Sequence, residues 1–202
     1  MSEFSFIDSK KRLAIKLSEL ESPTSLKLKF EQYLTPSEEA ARILWMVRKE
    51  LSEKLVADFG TGHGILGIGA LLLGAKKVFF VEIDEDMIVF LEKNLKLFGF
   101  KKSSYEIFKG SVVDFKKKID VVIMNPPFGT HHKGYDDLFI KNALRVSKKV
   151  YTLLSALSRD WLVKSGYYYR ILTEFDIRLP FSKVFHTKTV KTFRVIYVVL
   201  ES

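Results

Sequence analysis

Leu55-Val56-Ala57-Asp58-Phe59-Gly60-Thr61-Gly62-His63-Gly64-Ile65-Leu66-Gly67 is the stretch from which the fold can be read. Its opening, residues 55–59, has the short apolar pattern of a buried strand, and the run 65–73 predicts an apolar helix stopped by Gly74. The glycines between them allow a tight turn and a close approach of ligand to backbone. The amides that open the following helix face outward, where they can meet a polar ligand.

Working outward, strands and helices alternate. Strands are predicted over 78–83, 105–109, 119–124 and 150–154, with helices over 85–98 (stopped by Gly99), 136–146 and 158–165 (ahead of Gly166). Residues 167–175 and 192–200 read as two final strands with no clear helix between them, so they should pair antiparallel at one edge. The expected architecture is α/β: a mostly parallel seven-stranded sheet with an antiparallel edge pair and helices on both faces. Toward the start, Leu13, Leu17 and Leu20 recur at helical spacing within 8–20, and Ser22-Pro23 ends that run. After a connector, Thr35-Pro36-Ser37-Glu38 reads as a helix start, with Thr35 as N-cap and Glu38 closing a capping box. That helix should reach about Glu50. The 202 residues favour one domain, 1–202, with the N-terminal helix and connector, 1–34, packed on it.

Two nucleotide-like cofactors compete for the glycine stretch. Gly62-x-Gly64-x-x-Gly67 satisfies the dinucleotide fingerprint, with Glu82 or Asp84 placed for a ribose. Asp58-x-Gly60-x-Gly62-x-Gly64 matches the S-adenosylmethionine pattern equally well. A carboxylate at the strand end would repel a pyrophosphate, whereas it suits a cationic methionine end. On this reading Glu82 takes the ribose hydroxyls and Asp84 caps the next helix. The loop alone leaves both cofactors open.

The fourth strand ends in Met124-Asn125-Pro126-Pro127-Phe128-Gly129-Thr130, at the carboxyl end of the sheet where open α/β folds bind ligands. An exocyclic adenine amine is a poor nucleophile, because its lone pair is delocalised into the ring. The Asn125 side-chain carbonyl and the Pro126 backbone carbonyl can hold its two N–H groups and aim the lone pair at a methyl donor. Positioning and electrostatics then carry the rate. The second proline, Pro127, stiffens the turn, and Phe128 offers a face for an extruded base. A rigid turn beside a core phenylalanine is the plain structural alternative.

These stretches resemble a known family, the class I amino-methyltransferases, and within it the methyltransferase-like-five group of ribosomal RNA adenine-N6 methyltransferases. The resemblance spans nearly the whole chain through Glu31-Gln32-Tyr33-Leu34-Thr35, Val56–Gly62, Ile83-Asp84-Glu85-Asp86, Val122–Thr130 and the late Leu179-Pro180 with Phe185-His186. It implies a Rossmann-like methyltransferase fold and S-adenosyl-L-methionine as cofactor. It implies that Gln32 and Thr35 lie over the methionine end, that Asp58, Gly60, Thr61, Gly62, His63, Gly64 and Asn125 line the cofactor, and that Glu82 and Ile83 meet the ribose. Ser111 and Val112 fall at the adenine contact, where the family usually carries an aspartate, leaving Asp114 or a backbone carbonyl to serve there. The implied substrate is an adenine of small-subunit ribosomal RNA. The implied partner is a small zinc-binding activator protein added to an exposed sheet edge near residues 105–109.

Composition narrows the setting. There is no cysteine, so disulfides and thiolate metal sites are excluded. No long apolar run predicts a membrane span, and Met1-Ser2-Glu3-Phe4 has no signal-peptide pattern, so a cytoplasmic location is expected. Of the net charge of +9, most lies in residues 145–202, with 11 Lys/Arg against 4 Asp/Glu. Such a bias fits a polyanionic partner such as RNA, although lysine excess also serves solubility. Arg178, Lys183, His186, Lys188, Lys191 and Arg194 are interleaved with Phe181, Phe185 and Phe193, a mix suited to looped RNA. The expected substrate contacts are Phe128, Gly129, Lys133, His186 and Lys188. Adjacent His131 and His132 have no third ligand nearby, so no metal is expected. The competing functions are protein-glutamine methylation on the same Asn-Pro-Pro motif and a non-catalytic RNA-binding scaffold.

Overall fold

In the computed structural model, which describes residues 7–23, 34–127, 135–182 and 188–201, the glycine stretch follows β1 (Leu55–Phe59) as expected. Before it come α1 (Lys10–Ser18), α2 (Ser37–Met46) and α3 (Arg48–Leu51). After it come α4 (Ile65–Leu72), β2 (Lys77–Glu82), α5 (Glu85–Leu97), β3 (Tyr105–Lys109), β4 (Val121–Met124) and α6 (Tyr135–Val146). The chain then forms β5 (Lys149–Ser155), α7 (Arg159–Ser165), β6 (Tyr168–Ser182) and β7 (Lys188–Glu201).

The strands make one seven-stranded sheet in the order β3-β2-β1-β4-β5-β7-β6. The first five are parallel, and β7 runs antiparallel to both β5 and β6. Strand order reverses between β1 and β4, so their carboxyl ends open a crevice at that point. The register pairs Phe59 with Met124. Gly60 and Asn125 therefore leave the sheet side by side, and the two sequence motifs meet.

Alternation along the strands fills two cores, one on each face of the sheet. Val56, Val121 and Ile123 join Leu13 and Leu17 of α1, Ile43 and Leu44 of α2, and Ile68 of α4. Ala57, Phe59, Val122 and Met124 join Phe115, Ile140 and Ala143 of α6, and Leu162 of α7. Gly67 of α4 has no room for a side chain, since a Cβ there would lie 2.3 Å from the Phe80 ring. Its absence lets α4 press onto the sheet directly behind the loop.

Several local readings need correction. The helix expected from Thr35 begins at Ser37, with Pro36 in the N-cap position and no side-chain capping bond. Thr35 does not cap it because its hydroxyl accepts a hydrogen bond from Asn125 instead. The same helix ends at Met46, and Val47, at φ −109° and ψ 12°, separates it from the single turn of α3. The last two strands are longer than predicted, and β7 lies between β5 and β6. Ser155, at the carboxyl end of β5, pairs with Val195. Beyond that pair the β6–β7 ladder continues from Asp176–Arg194 to Ser182–Lys188. The hairpin thus projects past the carboxyl end of β5, on the side of the crevice.

Candidate active site

Polar groups buried beneath the glycine loop determine its shape. Gly60, Gly62 and Gly64 adopt left-handed φ values of 67°, 57° and 98°, a region that glycine enters without penalty. The Gly60 and Thr61 amides donate to the Val81 carbonyl at 2.9 and 3.1 Å, tying the turn to β2. Asp58, 1% exposed, accepts at Oδ2 from the Thr61 hydroxyl (2.5 Å) and from the Gly67 amide (2.8 Å). Burial pushes its carboxyl up to about 7, against the pull of those two donors. Glu82, at the end of β2, accepts at Oε2 from the Gly62 amide (2.7 Å) and at Oε1 from the Ile83 and Asp84 amides (both 2.9 Å). Three of the roughly four acceptor positions of that carboxylate are thereby taken. Burial holds Glu82 above its ordinary pKa.

The other expected loop residues lie around these two carboxylates. His63 is 5% exposed, and burial lowers its imidazole to about 4, so it is neutral near pH 7. Ile83 turns a 57% exposed side chain outward beside Glu82. Asp84 caps α5 as predicted, accepting from the Asp86 amide. Glu82 lies opposite Lys109 in the sheet, which brings Ser111 and Val112 to the same end. Val112 is buried, while the Ser111 hydroxyl accepts from the Val113 amide at 3.3 Å and caps a short turn.

Across the crevice, the Asn125 side-chain nitrogen donates to the Thr35 hydroxyl at 2.7 Å, a contact between residues 90 apart. With the amide nitrogen turned to Thr35, the side chain also carries a carbonyl oxygen able to accept. Pro126 is buried and Pro127 half-buried behind it. Gln32, Phe128, Gly129 and Lys133 lie outside the described residues, as does His186. Lys188 is described as backbone at the start of β7. Arg194 donates to Asp176 at 2.8 and 3.2 Å.

Two residues escaped the sequence reading. Phe139 of α6 places its ring edge 3.1 Å from where a Gly60 Cβ would stand, walling the loop on one side. Asn94 of α5, fully buried, donates to the His63 carbonyl at 2.9 Å. An aromatic or an asparagine inside an amphipathic helix carries no local signal of such contacts.

The donor set discriminates between the two cofactors. Asp58, buried at the end of β1 under the loop, disfavours a pyrophosphate and suits a cationic sulfonium compound, whereas Glu82 could serve a ribose in either cofactor. Among the described residues nothing lies within 4 Å of a notional Cβ on Gly62, which leaves the backbone there open to a ligand. No described helix is long and apolar enough to cross a membrane. Among the described residues no cluster of His, Asp or Glu could hold a metal ion.

Known proteins give the same answer. The sequence model of ribosomal protein L11 methyltransferases matches residues 40–126. The zebrafish (Danio rerio) rRNA N(6)-adenosine-methyltransferase METTL5 is 33% identical, over 86% of this chain and 93% of its own length. The Drosophila melanogaster Mettl5 is 32% identical over 150 residues, 69% of this chain and 70% of its own. A Pyrococcus horikoshii protein, provisionally described as an RNA methyltransferase, superposes with a TM-score of 0.87 at 35% identity, covering 97% of this chain and 98% of that one. Likeness of this extent and completeness makes the chain a member of the METTL5 family of rRNA N6-adenosine methyltransferases, enzymes whose methyl donor is S-adenosylmethionine.

Proposed function

We propose that this chain, acting as one unit from residue 1 to 202, methylates the exocyclic N6 amine of an adenine in small-subunit ribosomal RNA. The observation that carries the reading is the junction of Gly60 and Asn125 beyond the paired Phe59 and Met124. It brings a cofactor loop and an amine-binding turn to adjacent strand ends.

S-adenosylmethionine supplies an activated methyl group on a sulfonium sulfur. The backbone from Gly60 to Gly64 would line it, with Asp58 beneath, Glu82 and Ile83 at the ribose, and Ser111 and Val112 at the adenine end. Thr35, with Gln32, flanks the methionine end. Asn125, oriented by Thr35, accepts one N–H of the target amine at Oδ1, and the Pro126 carbonyl accepts the other. Two fixed acceptors draw the nitrogen toward tetrahedral geometry and hold its lone pair in one direction. The amine proton leaves after transfer, so no strong base is required. Phe128 stacks on the extruded base, Gly129 lets the base approach closely, and Lys133, His186 and Lys188 meet the RNA backbone. The projecting β6–β7 hairpin supports that last assignment, because it carries the basic C-terminal stretch toward the crevice.

Protein-glutamine methylation is the competing reading. The ribosomal protein L11 methyltransferase model covers residues 40–126, Asn125 and Pro126 included, whereas the likeness to the adenosine methyltransferase METTL5 takes in 86% of the chain. That contrast favours RNA. Described β3 pairs with β2 on one side only. Its other edge is where a small zinc-binding activator would add a strand. The reading places the enzyme in the cytoplasm with its ribosomal substrate.

The test is transfer of labelled methyl from S-adenosylmethionine to ribosomal RNA and, separately, to ribosomal protein, with Asn125→Ala as control. N6-methyladenosine in the RNA digest, lost in the variant, is the expected result. Label in protein alone would replace this reading with the other.

A further inference from the structure

α5 buries one face, formed by Met87, Ile88, Leu91, Asn94 and Leu95. Four of these are apolar, and the fifth is an asparagine at 0% exposure. Asparagine is a weak helix former, and its amide loses hydration when buried, so packing alone would place a leucine there. The hydrogen bonds of Asn94 account for its presence. Its Nδ2 donates to the Glu21 carbonyl and to the His63 carbonyl, both at 2.9 Å, while its Oδ1 accepts from the Glu21 amide at 2.8 Å. These partners lie 73 and 31 residues away in sequence.

Each partner matters for position. His63 stands between Gly62 and Gly64, both at left-handed φ, so its carbonyl direction is set by the turn that exposes the loop backbone. Glu21 lies just beyond α1, on the path toward Thr35, which holds Asn125. A second contact comes from the same face of α5. A Cβ on Gly64 would lie 2.5 Å from the Leu91 Cδ1, so the helix presses directly on the underside of the loop. Leu91 supplies contact, and Asn94, one turn further along, supplies direction.

We propose that Asn94 is a positioning residue for cofactor binding. Its one buried amide ties the glycine loop at His63 to the exit of the N-terminal helix at Glu21, and so holds the loop in its binding conformation from behind. Asn94 touches no reactant, and its effect passes through the backbone of residues 62–64.

The test is S-adenosylhomocysteine affinity by calorimetry and hydrogen exchange of the ligand-free protein, for Asn94→Ala and for Val199→Ala. Val199 is buried in β7, separated from β1 and its loop by β4 and β5, and serves as a control for loss of core packing. Asn94→Ala leaves a buried carbonyl unpaired and is expected to weaken the affinity about tenfold. Exchange at residues 62–64 should accelerate, while Val199→Ala leaves both quantities unchanged at temperatures well below its melting point. An affinity within twofold of the parent, or an equal loss in the Val199 variant, overturns the proposal. If Asn94→Ala does not fold, Glu21→Pro decides, since it removes one of the three bonds and keeps the asparagine. Faster exchange at 62–64 in that variant supports the tie, and unchanged exchange overturns it. Both readouts concern the loop and its ligand alone, so they stand apart from the identity of the methyl acceptor.

Discussion

The two sides of the crevice are held by different means. On the cofactor side, three buried polar side chains, Asp58, Glu82 and Asn94, clamp the glycine loop through backbone amides and carbonyls. On the acceptor side, a half-buried hydrogen bond from Asn125 reaches Thr35 of the N-terminal segment. Four of those six loop bonds are buried, whereas the Asn125 bond is half-buried and spans 90 residues. The contrast teaches that cofactor affinity is built into the rigid half of the fold, while acceptor geometry depends on the packing of the N-terminal segment. Variants on either side should therefore separate affinity from turnover.

Asn125→Ala should have the largest effect on turnover. Removing one of two amine acceptors is expected to lower kcat by about 10²–10³-fold, with S-adenosylhomocysteine affinity changed by less than about threefold as read by calorimetry. An equal collapse of both quantities would erase the distinction between the two sides. Asp58→Ala should do the reverse. It strips the partner from the Thr61 hydroxyl and the Gly67 amide, each a buried loss of about 1–3 kcal/mol. Cofactor affinity should fall roughly ten- to hundredfold, and the melting temperature should drop with it.

Thr35→Val keeps the shape and removes the hydroxyl that orients Asn125. We expect kcat to fall about tenfold, through misplacement of the acceptor, with most of it restored in Thr35→Ser. A loss confined to cofactor affinity would mean that Thr35 serves the methionine end alone and does not orient Asn125.

The smallest effect concerns pH. Burial raises Asp58 from 3.8 to about 7, so the folded state binds this proton more tightly than the unfolded chain does. Its part of the stability is therefore lost as pH rises from about 4 to 7. Burial lowers His63 from 6.5 to about 4, so its part is present above 6.5 and is lost as pH falls toward 4. The two contributions oppose each other over the same window. Asp58→Asn keeps an acceptor oxygen and removes one titration. Its melting temperature relative to the parent should rise by a few degrees between pH 4 and 7. His63→Gln relative to the parent should fall over that range. Scanning calorimetry across the window checks both signs.

How much was legible in the sequence follows the range of the interactions. β1 and β3 appear with the expected bounds, and α4 to within one residue, because strand patterns and glycine stops are local signals. The meeting of the glycine loop with Asn125 was also legible, since parallel strands place both motifs at carboxyl ends. Thr35 was misread as a cap because its local pattern, Thr-Pro-Ser-Glu, is a good one, and a partner 90 residues away outcompetes it. The place of β7 between β5 and β6 is a matter of pairing, which composition does not encode. Asn94 was invisible for the same reason: its value lies in partners that only the fold brings together. Asp58 and Glu82 were recognised as acids, but not as the internal struts of the loop.

The most direct test of the account is a structure of the protein with S-adenosylhomocysteine and an adenosine-bearing oligoribonucleotide. The account predicts the exocyclic nitrogen of the target adenine about 3 Å from both the Asn125 Oδ1 and the Pro126 carbonyl oxygen. An amine beyond hydrogen-bonding reach of both, with Asn125 committed elsewhere, would contradict it.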